Sequence, residues 1–200
     1  MTAQDAGEAT IDDRAALSER EQATKRAERK RSAISWGLTI ALAIGLTVVV
    51  KTWFYQPYSI PSGSMIPTLE VGDRVVVSKL NTDPGRGDII VFDRPANDPA
   101  PDADAPEVLI KRVIGLPGER VTAVDGQVYI DGKPLREDYL PDGTRTEISN
   151  PITVPDGELL VMGDNRQYSQ DGRVFGPISK DLIVGRAILR IWPLDRFGKL

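Results

Sequence analysis

Hydrolysis through a covalent intermediate needs a hydroxyl or thiol and a group able to take its proton. This chain restricts both choices, because it contains neither histidine nor cysteine. The absence of cysteine excludes a thiol protease, a disulfide frame and thiolate metal sites. The absence of histidine excludes a Ser-His-Asp triad and His-ligated zinc. The base of a hydrolase built from this sequence is therefore a Lys, Asp, Glu or Tyr. Candidate nucleophiles lie in Ile60-Pro61-Ser62-Gly63-Ser64-Met65-Ile66-Pro67-Thr68-Leu69. Two prolines and a glycine prevent regular helix there and fix a sharp turn. Two readings stay open: a Ser/Gly turn at a domain entrance, or a serine held rigidly for a base to reach.

Most lysines sit beside Gly, Asp or solvent-type neighbours, but Lys111 lies in the strand-like run Val108-Leu109-Ile110-Lys111-Arg112-Val113-Ile114. At period two it shares a face with Leu109 and Val113, while Arg112 shares the other with Ile110 and Ile114. On a core-facing strand the amine would be desolvated and its pKa lowered, leaving a neutral acceptor for a serine proton. On an edge strand both cations would stand in water, and the pattern alone leaves the two open. A third segment, Met162 to Arg173, is a dense polar loop straight after an apolar strand. It lacks the spacing and closing Glu of an EF-hand, so Asp–Arg pairing that stiffens a loop beside a site fits better than a calcium cage.

These segments need positioning. Residues 1–31 form a polar N-terminal tail, expected to be partly disordered and cytoplasmic, ending in the basic cluster Lys25, Arg26, Arg29, Lys30 and Arg31. Ser32 to Val50 carries no charge. With aromatic residues at its ends it approaches the roughly 20 apolar residues that span a bilayer, so a single transmembrane helix is expected over 32–54. A cleavable signal peptide would begin nearer the N-terminus and end at a small-x-small site, and a core helix would show a polar stripe. The basic cluster puts the N-terminus in the cytoplasm and residues 55–200 outside the plasma membrane.

From residue 55 onward the pattern is mainly β. Strands are expected at Arg74–Ser78, Asp88–Phe92, Val108–Ile114, Arg120–Val124, Gln127–Ile130, Leu159–Met162 and Leu182–Leu189. Asp125-Gly126 reads as a hairpin turn. Residues 93–107, rich in Pro, Ala and Asp, read as a flexible surface loop. The formal net charge of −4 leaves no basic footprint for nucleic acid.

Together these segments resemble type I signal peptidases, the bacterial leader peptidase family of Ser/Lys serine proteases. Ser62-Gly63-Ser64-Met65-Ile66-Pro67-Thr68-Leu69 with Gly72-Asp73 is similar to the nucleophile box, and Arg86-Gly87-Asp88-Ile89-Ile90-Val91-Phe92 to the next strand box. Ile110-Lys111-Arg112-Val113-Ile114-Gly115-Leu116-Pro117-Gly118 is similar to the lysine box. Gly163-Asp164-Asn165-Arg166 with Ser169, Asp171 and Arg173 is similar to the final box, though Gln167-Tyr168 and Gly172 depart from its commoner residues.

The resemblance implies a signal-peptidase-like β domain whose second β region is reduced to a hairpin insertion over 119–158. It implies a membrane-bound endopeptidase that removes signal peptides from exported preproteins by cutting after small residues of Ala-x-Ala type. Ser64 would be the nucleophile and Lys111 the base. Ser62 and the Ser64 N–H would form the oxyanion hole. Ser169 would orient the lysine amine while Asp171 and Arg173 pair to hold the loop, with Asp164 and Arg166 as further structural members. Ile60, Pro61, Met65, Leu69, Leu109 and Ile110 would line shallow pockets for the small side chains, the substrate adding as a strand to a sheet edge. The implied partners are signal-peptide-bearing preproteins, the lipid bilayer and the secretion translocon; neither metal nor organic cofactor is implied. Trp192, in Ile191-Trp192-Pro193-Leu194, would either dip into the headgroups or serve in the core. Two competing classes are a tethered β module that binds peptides or wall components, and a self-cleaving repressor-type Ser/Lys protease.

Overall fold

The computed structural model describes residue 32 and residues 35–49, 54–80, 83–99 and 106–200. The chain divides into two compact units, Met1–Val50 and Lys51–Leu200. In the first, residues 35–49 form helix α1, with every side chain exposed, including Trp36, Leu38, Leu42 and Leu46. Among the described residues no helix is long and apolar enough to cross a membrane. The expected tail over 1–31 and both flanks of the expected span, at 33–34 and 50–53, lie outside the described residues.

The second unit is mainly β. Its strands are β1 Tyr55–Ser59, β2 Arg74–Ser78, β3 Ile89–Asp93, β4 Val108–Gly115, β5 Arg120–Val124, β6 Gln127–Ile130, β7 Lys133–Pro134, β8 Ile152–Thr153, β9 Glu158–Met162, β10 Ile178–Ser179, β11 Ile183–Trp192 and β12 Gly198–Lys199. A sheet of eight strands runs β1-β2-β11-β3-β4-β9-β10, with β12 paired to β11. Residues of the 119–158 region build a separate four-stranded sheet in the order β7-β6-β5-β8. All pairings are antiparallel.

β4 is central, bonded to β3 on one side and β9 on the other. Strands covered on both faces read as continuous apolar runs, and β4 meets a different core on each face. Leu109 and Val113 join Ile90, Phe92, Val161 and Phe175. On the opposite face Ile110 joins Met65, Leu69 and Val91, and Ile114 joins Val121, Leu160 and Met162. Asp125 (φ 53°) and Gly126 (φ 91°) are both left-handed between β5 and β6, as a two-residue type I′ hairpin requires. β1 carries Pro57 mid-strand; it is a sheet edge, where a missing N–H is tolerated.

The described ends of the 93–107 segment are tied to the rest of the domain. Asp93 ends β3, and the Arg94 N–H extends the ladder by donating to the Glu107 carbonyl at 2.7 Å. Asn97 donates to the Phe175 carbonyl, tying the described part of the loop down. Residues 100–105 lie outside the described residues.

Candidate active site

Ser64 sits in a one-turn 3-10 helix, Gly63–Met65, entered from extended Ser62. The turn is clamped from across the fold: the Asn165 N–H donates to the Ser64 carbonyl at 3.0 Å, and Asn165 Nδ2 to the Gly63 carbonyl at 3.0 Å. Met65 and Leu69, fully buried, root it in the core.

Lys111 lies directly opposite Ile90 in the β3–β4 register and is 4% exposed. Its Nζ is 2.8 Å from Ser64 Oγ and donates to the Ile110 carbonyl at 3.0 Å. Burial lowers its pKa from 10.5 to about 8, against the opposing pull of Asp171, Asp98 and Asp164, while Arg94 adds to the lowering. The desolvated alternative is therefore the one realised. Near neutral pH an appreciable fraction of the amine is free of its proton.

The loop after β9 encloses this pair. Asp171 is fully buried; it accepts from the Gly163 N–H at 2.9 Å and from Arg173 at 2.8 and 2.9 Å. It also caps helix α2, Gly172–Phe175, by accepting from the Arg173 N–H at 3.2 Å. Arg173 in turn donates to the Arg166 carbonyl at 2.8 Å. The acidic groups of this loop are engaged by arginine rather than arrayed around a cation.

Ser169 differs from its expected place. Its hydroxyl is buried without a hydrogen-bond partner among the described residues, so it does not bind the lysine amine. The amine is turned instead to Ser64 and to its own strand, while Ser169 presses against Gly163. The Ser62 hydroxyl lies 3.4 Å from Ser64 Oγ on the exposed side of the turn.

Arg112 carries a role the strand pattern does not announce. Expected on the face away from Lys111, it is buried too, at 7% exposure. It grips Asp164 through two bonds of 2.9 and 2.6 Å, donates to the Gly87 carbonyl at 2.8 Å and lies 3.9 Å from the Tyr139 ring centroid. Asp164 also accepts from Thr68 Oγ1 at 2.5 Å, joining the nucleophile segment to the final box. Arg166 pairs not with that aspartate but with Glu137 at 2.5 Å and Thr146 at 2.5 Å, residues of the smaller β region. Only the demand of a buried arginine for an anion hints at Glu137, and nothing local in the sequence says where that anion lies.

Beside the dyad, the end of β1 and the start of β4 border a groove of about 330 Å³. Ile60, Pro61, Leu109 and Ile110 line it, with Tyr58, Val91 and Val108. Met65 and Leu69 do not: each is wholly buried in the core shared with Ile60 and Ile110, because the turn uses their side chains as its anchors.

A serine held in a braced turn against a desolvated lysine is an arrangement that can carry hydrolysis without histidine. The family described as "Signal peptidase, peptidase S26" matches residues 33–192. A signal peptidase I of Leptolyngbya laminosa is 42% identical over 165 residues, covering 81% of each chain. A probable signal peptidase I-2 of Synechocystis is 38% identical over 167 residues, covering 82% of this chain and 75% of that protein. Signal peptidase IB of Staphylococcus aureus is 33% identical over 188 residues, covering 84% and 94%. A solved signal peptidase I of Enterococcus faecalis aligns with 52% of this chain and 96% of its own, at 33% identity and a TM-score of 0.40. The chain belongs to the peptidase S26 signal peptidase family.

Proposed function

We propose that this protein is a serine endopeptidase that removes signal peptides from exported preproteins, with Ser64 as nucleophile and Lys111 as general base. The observation that carries the assignment is the 2.8 Å separation of Lys111 Nζ from Ser64 Oγ at a site from which water is nearly excluded. The neutral amine takes the hydroxyl proton as Oγ attacks the scissile carbonyl carbon. The resulting oxyanion is met by the Ser64 N–H and the Ser62 hydroxyl. Collapse breaks the C–N bond, the lysine returns its proton to the departing amine, and an ester to Ser64 remains. Water, deprotonated by the same amine, hydrolyses that ester. Asp171 and Arg173 hold the loop around the base, and Ser169 completes its wall by contact.

The substrate binds extended in the groove between β1 and β4. Ile60, Pro61, Leu109 and Ile110 offer shallow apolar surface for small side chains, with Met65 and Leu69 as backing beneath. Helix α1, uncharged, mostly apolar and exposed along 35–49, is the core of a single membrane anchor in this reading. The basic cluster before it keeps the N-terminus cytoplasmic and the catalytic domain on the extracytoplasmic side. Trp192, Leu194 and Phe197, at 50, 72 and 60% exposure, favour contact with headgroups over a core role. The bilayer and the secretion translocon are the partners this setting supplies.

The test is incubation of detergent-solubilised protein with an exported precursor. Cleavage at the small-x-small site supports the assignment. An intact but bound precursor would indicate a binding module, and cutting of the protein alone a self-cleaving protease.

A further inference from the structure

The described part of the β3–β4 loop reaches the catalytic lysine through charges that lie outside every motif of the sequence. Ile90, Phe92 and Arg94 alternate onto one face of the sheet. Ile90 stands directly opposite Lys111 in the register, so Arg94 shares the lysine's face. Arg94 is held by two bonds to the Pro106 carbonyl, at 3.0 and 2.8 Å, and by an ion pair with Asp98, whose side chain is only 1% exposed. The other oxygen of Asp98 accepts from Gln170 Nε2 at 2.7 Å. Gln170 stands between Ser169 and Asp171, and the Pro99 carbonyl accepts its second bond at 3.1 Å.

We infer that Arg94 and Asp98 are positioning residues for the Lys111 base: their ion pair pins the final-box loop through Gln170 and sets opposed charges beside the amine. This deepens the proposed function and rests on Lys111 being the base. The charged groups that act on the amine come from two elements, Asp171 and Asp164 from the loop after β9, and Asp98 and Arg94 from the loop after β3. Asp98 stabilises the ammonium and Arg94 the neutral amine, so each offsets the other. Losing either charge alone unbalances the site, and losing both restores the balance.

The experiment is kcat/KM against pH for the full chain in detergent, with a peptide substrate ending its recognition segment in Ala-x-Ala. The acid limb of the profile reports protonation of the base. A folded fraction that is the same at every pH scales the plateau and leaves the midpoint in place, which thermal unfolding of each variant across the pH range checks. Asp98→Asn is expected to move the limb to lower pH, Arg94→Gln to higher pH, and the double variant back towards wild type. A purely mechanical role would lower the plateau in both single variants without opposite displacements. Limbs that stay in place or move the same way would overturn the inference while leaving the dyad intact. A wild-type profile with no acid limb, or an active Lys111→Met protein, would remove the base assignment and this inference with it.

Discussion

Gly163 and Ser169 approach so closely that a Cβ at Gly163 would lie 2.2 Å from the Ser169 hydroxyl oxygen and 2.4 Å from the Ser64 carbonyl oxygen. The contact joins the two halves of the site. The nucleophile turn and the final-box loop meet backbone to backbone at residue 163, and the missing side chain is what lets Asn165 reach Ser64. Because the Ser64 carbonyl belongs to the clamped turn, the clash cannot be relieved by swinging a flexible side chain aside. Gly163→Ala should therefore push Ser64 away from Lys111. Overpacking of this kind costs typically about 1–3 kcal/mol. The expected outcome is a lowered melting temperature together with loss of precursor cleavage. Cleavage at the wild-type rate would show that the two halves need not touch.

Ser64→Ala and Lys111→Met should each abolish precursor cleavage and leave the fold in place. Ser64 Oγ is a small group at the end of a braced turn. The methionine replaces a buried amine with an apolar chain of similar length, removing a polar group from an apolar site. Lys111→Met protein should consequently melt no earlier than wild type, read from thermal unfolding beside the cleavage assay. Processing by Lys111→Met at near the wild-type rate would refute the dyad.

Ser62→Ala separates catalysis from structure. The Ser62 hydroxyl stands on the exposed side of the turn, 3.4 Å from Ser64 Oγ. Its removal should leave stability within about 0.5 kcal/mol. If the hydroxyl meets the oxyanion, kcat should fall on the order of 10²–10³-fold with KM little changed. A fall confined to KM would move Ser62 from the oxyanion hole to substrate binding.

The longer strands could be read from sequence because their signals are local, whereas Ser64 and Lys111 were named as nucleophile and base only through the family resemblance. The Asp125-Gly126 turn announces itself by residue type, and β4 by its unbroken apolar run. The burial of Lys111 was legible only as one of two alternatives, since alternation tells which neighbours share a face but not whether that face is covered. Arg112 shows the limit most plainly. Its face is covered too, and the partners that make this tolerable, Asp164 and Tyr139, come from elements far along the chain. Met65 and Leu69 were expected at the substrate pocket through the family resemblance, but a tight turn needs anchors, and these two buried apolar side chains serve as them. Strand β1 was hidden by Pro57, which only an edge position excuses.

Asp164→Ala should be among the most damaging changes away from the dyad. It would leave the Arg112 guanidinium buried without its anion, and breaking a buried pair from one side costs about 3–5 kcal/mol. Asp164→Asn keeps an acceptor for Thr68 Oγ1 and Arg112 and should lose less. Chemical denaturation of the two variants checks the ordering; equal losses would mean that the carboxylate charge, not the acceptor that asparagine keeps, holds Arg112.

The lowered pKa of Lys111 also fixes how stability depends on pH. In the unfolded chain the amine keeps its proton up to 10.5, whereas in the folded protein it loses it at about 8. Between those values the unfolded state binds more protons, so stability must rise with pH across that window. Below about 8 both states hold the proton, and the folded state bears the full penalty of a buried ammonium. The gap between the two pKa values corresponds to something on the order of 3 kcal/mol. Lys111→Met protein lacks the titration, so the difference in unfolding free energy between wild type and variant should be flat below pH 8. It should then move in favour of wild type up to about pH 10.5. Activity should follow the same protonation from the other side, falling as acid converts the base to its ammonium. A stability difference that stays constant across the window would mean that the amine keeps water around it, and that the proximity of Ser64 Oγ does not make it a base.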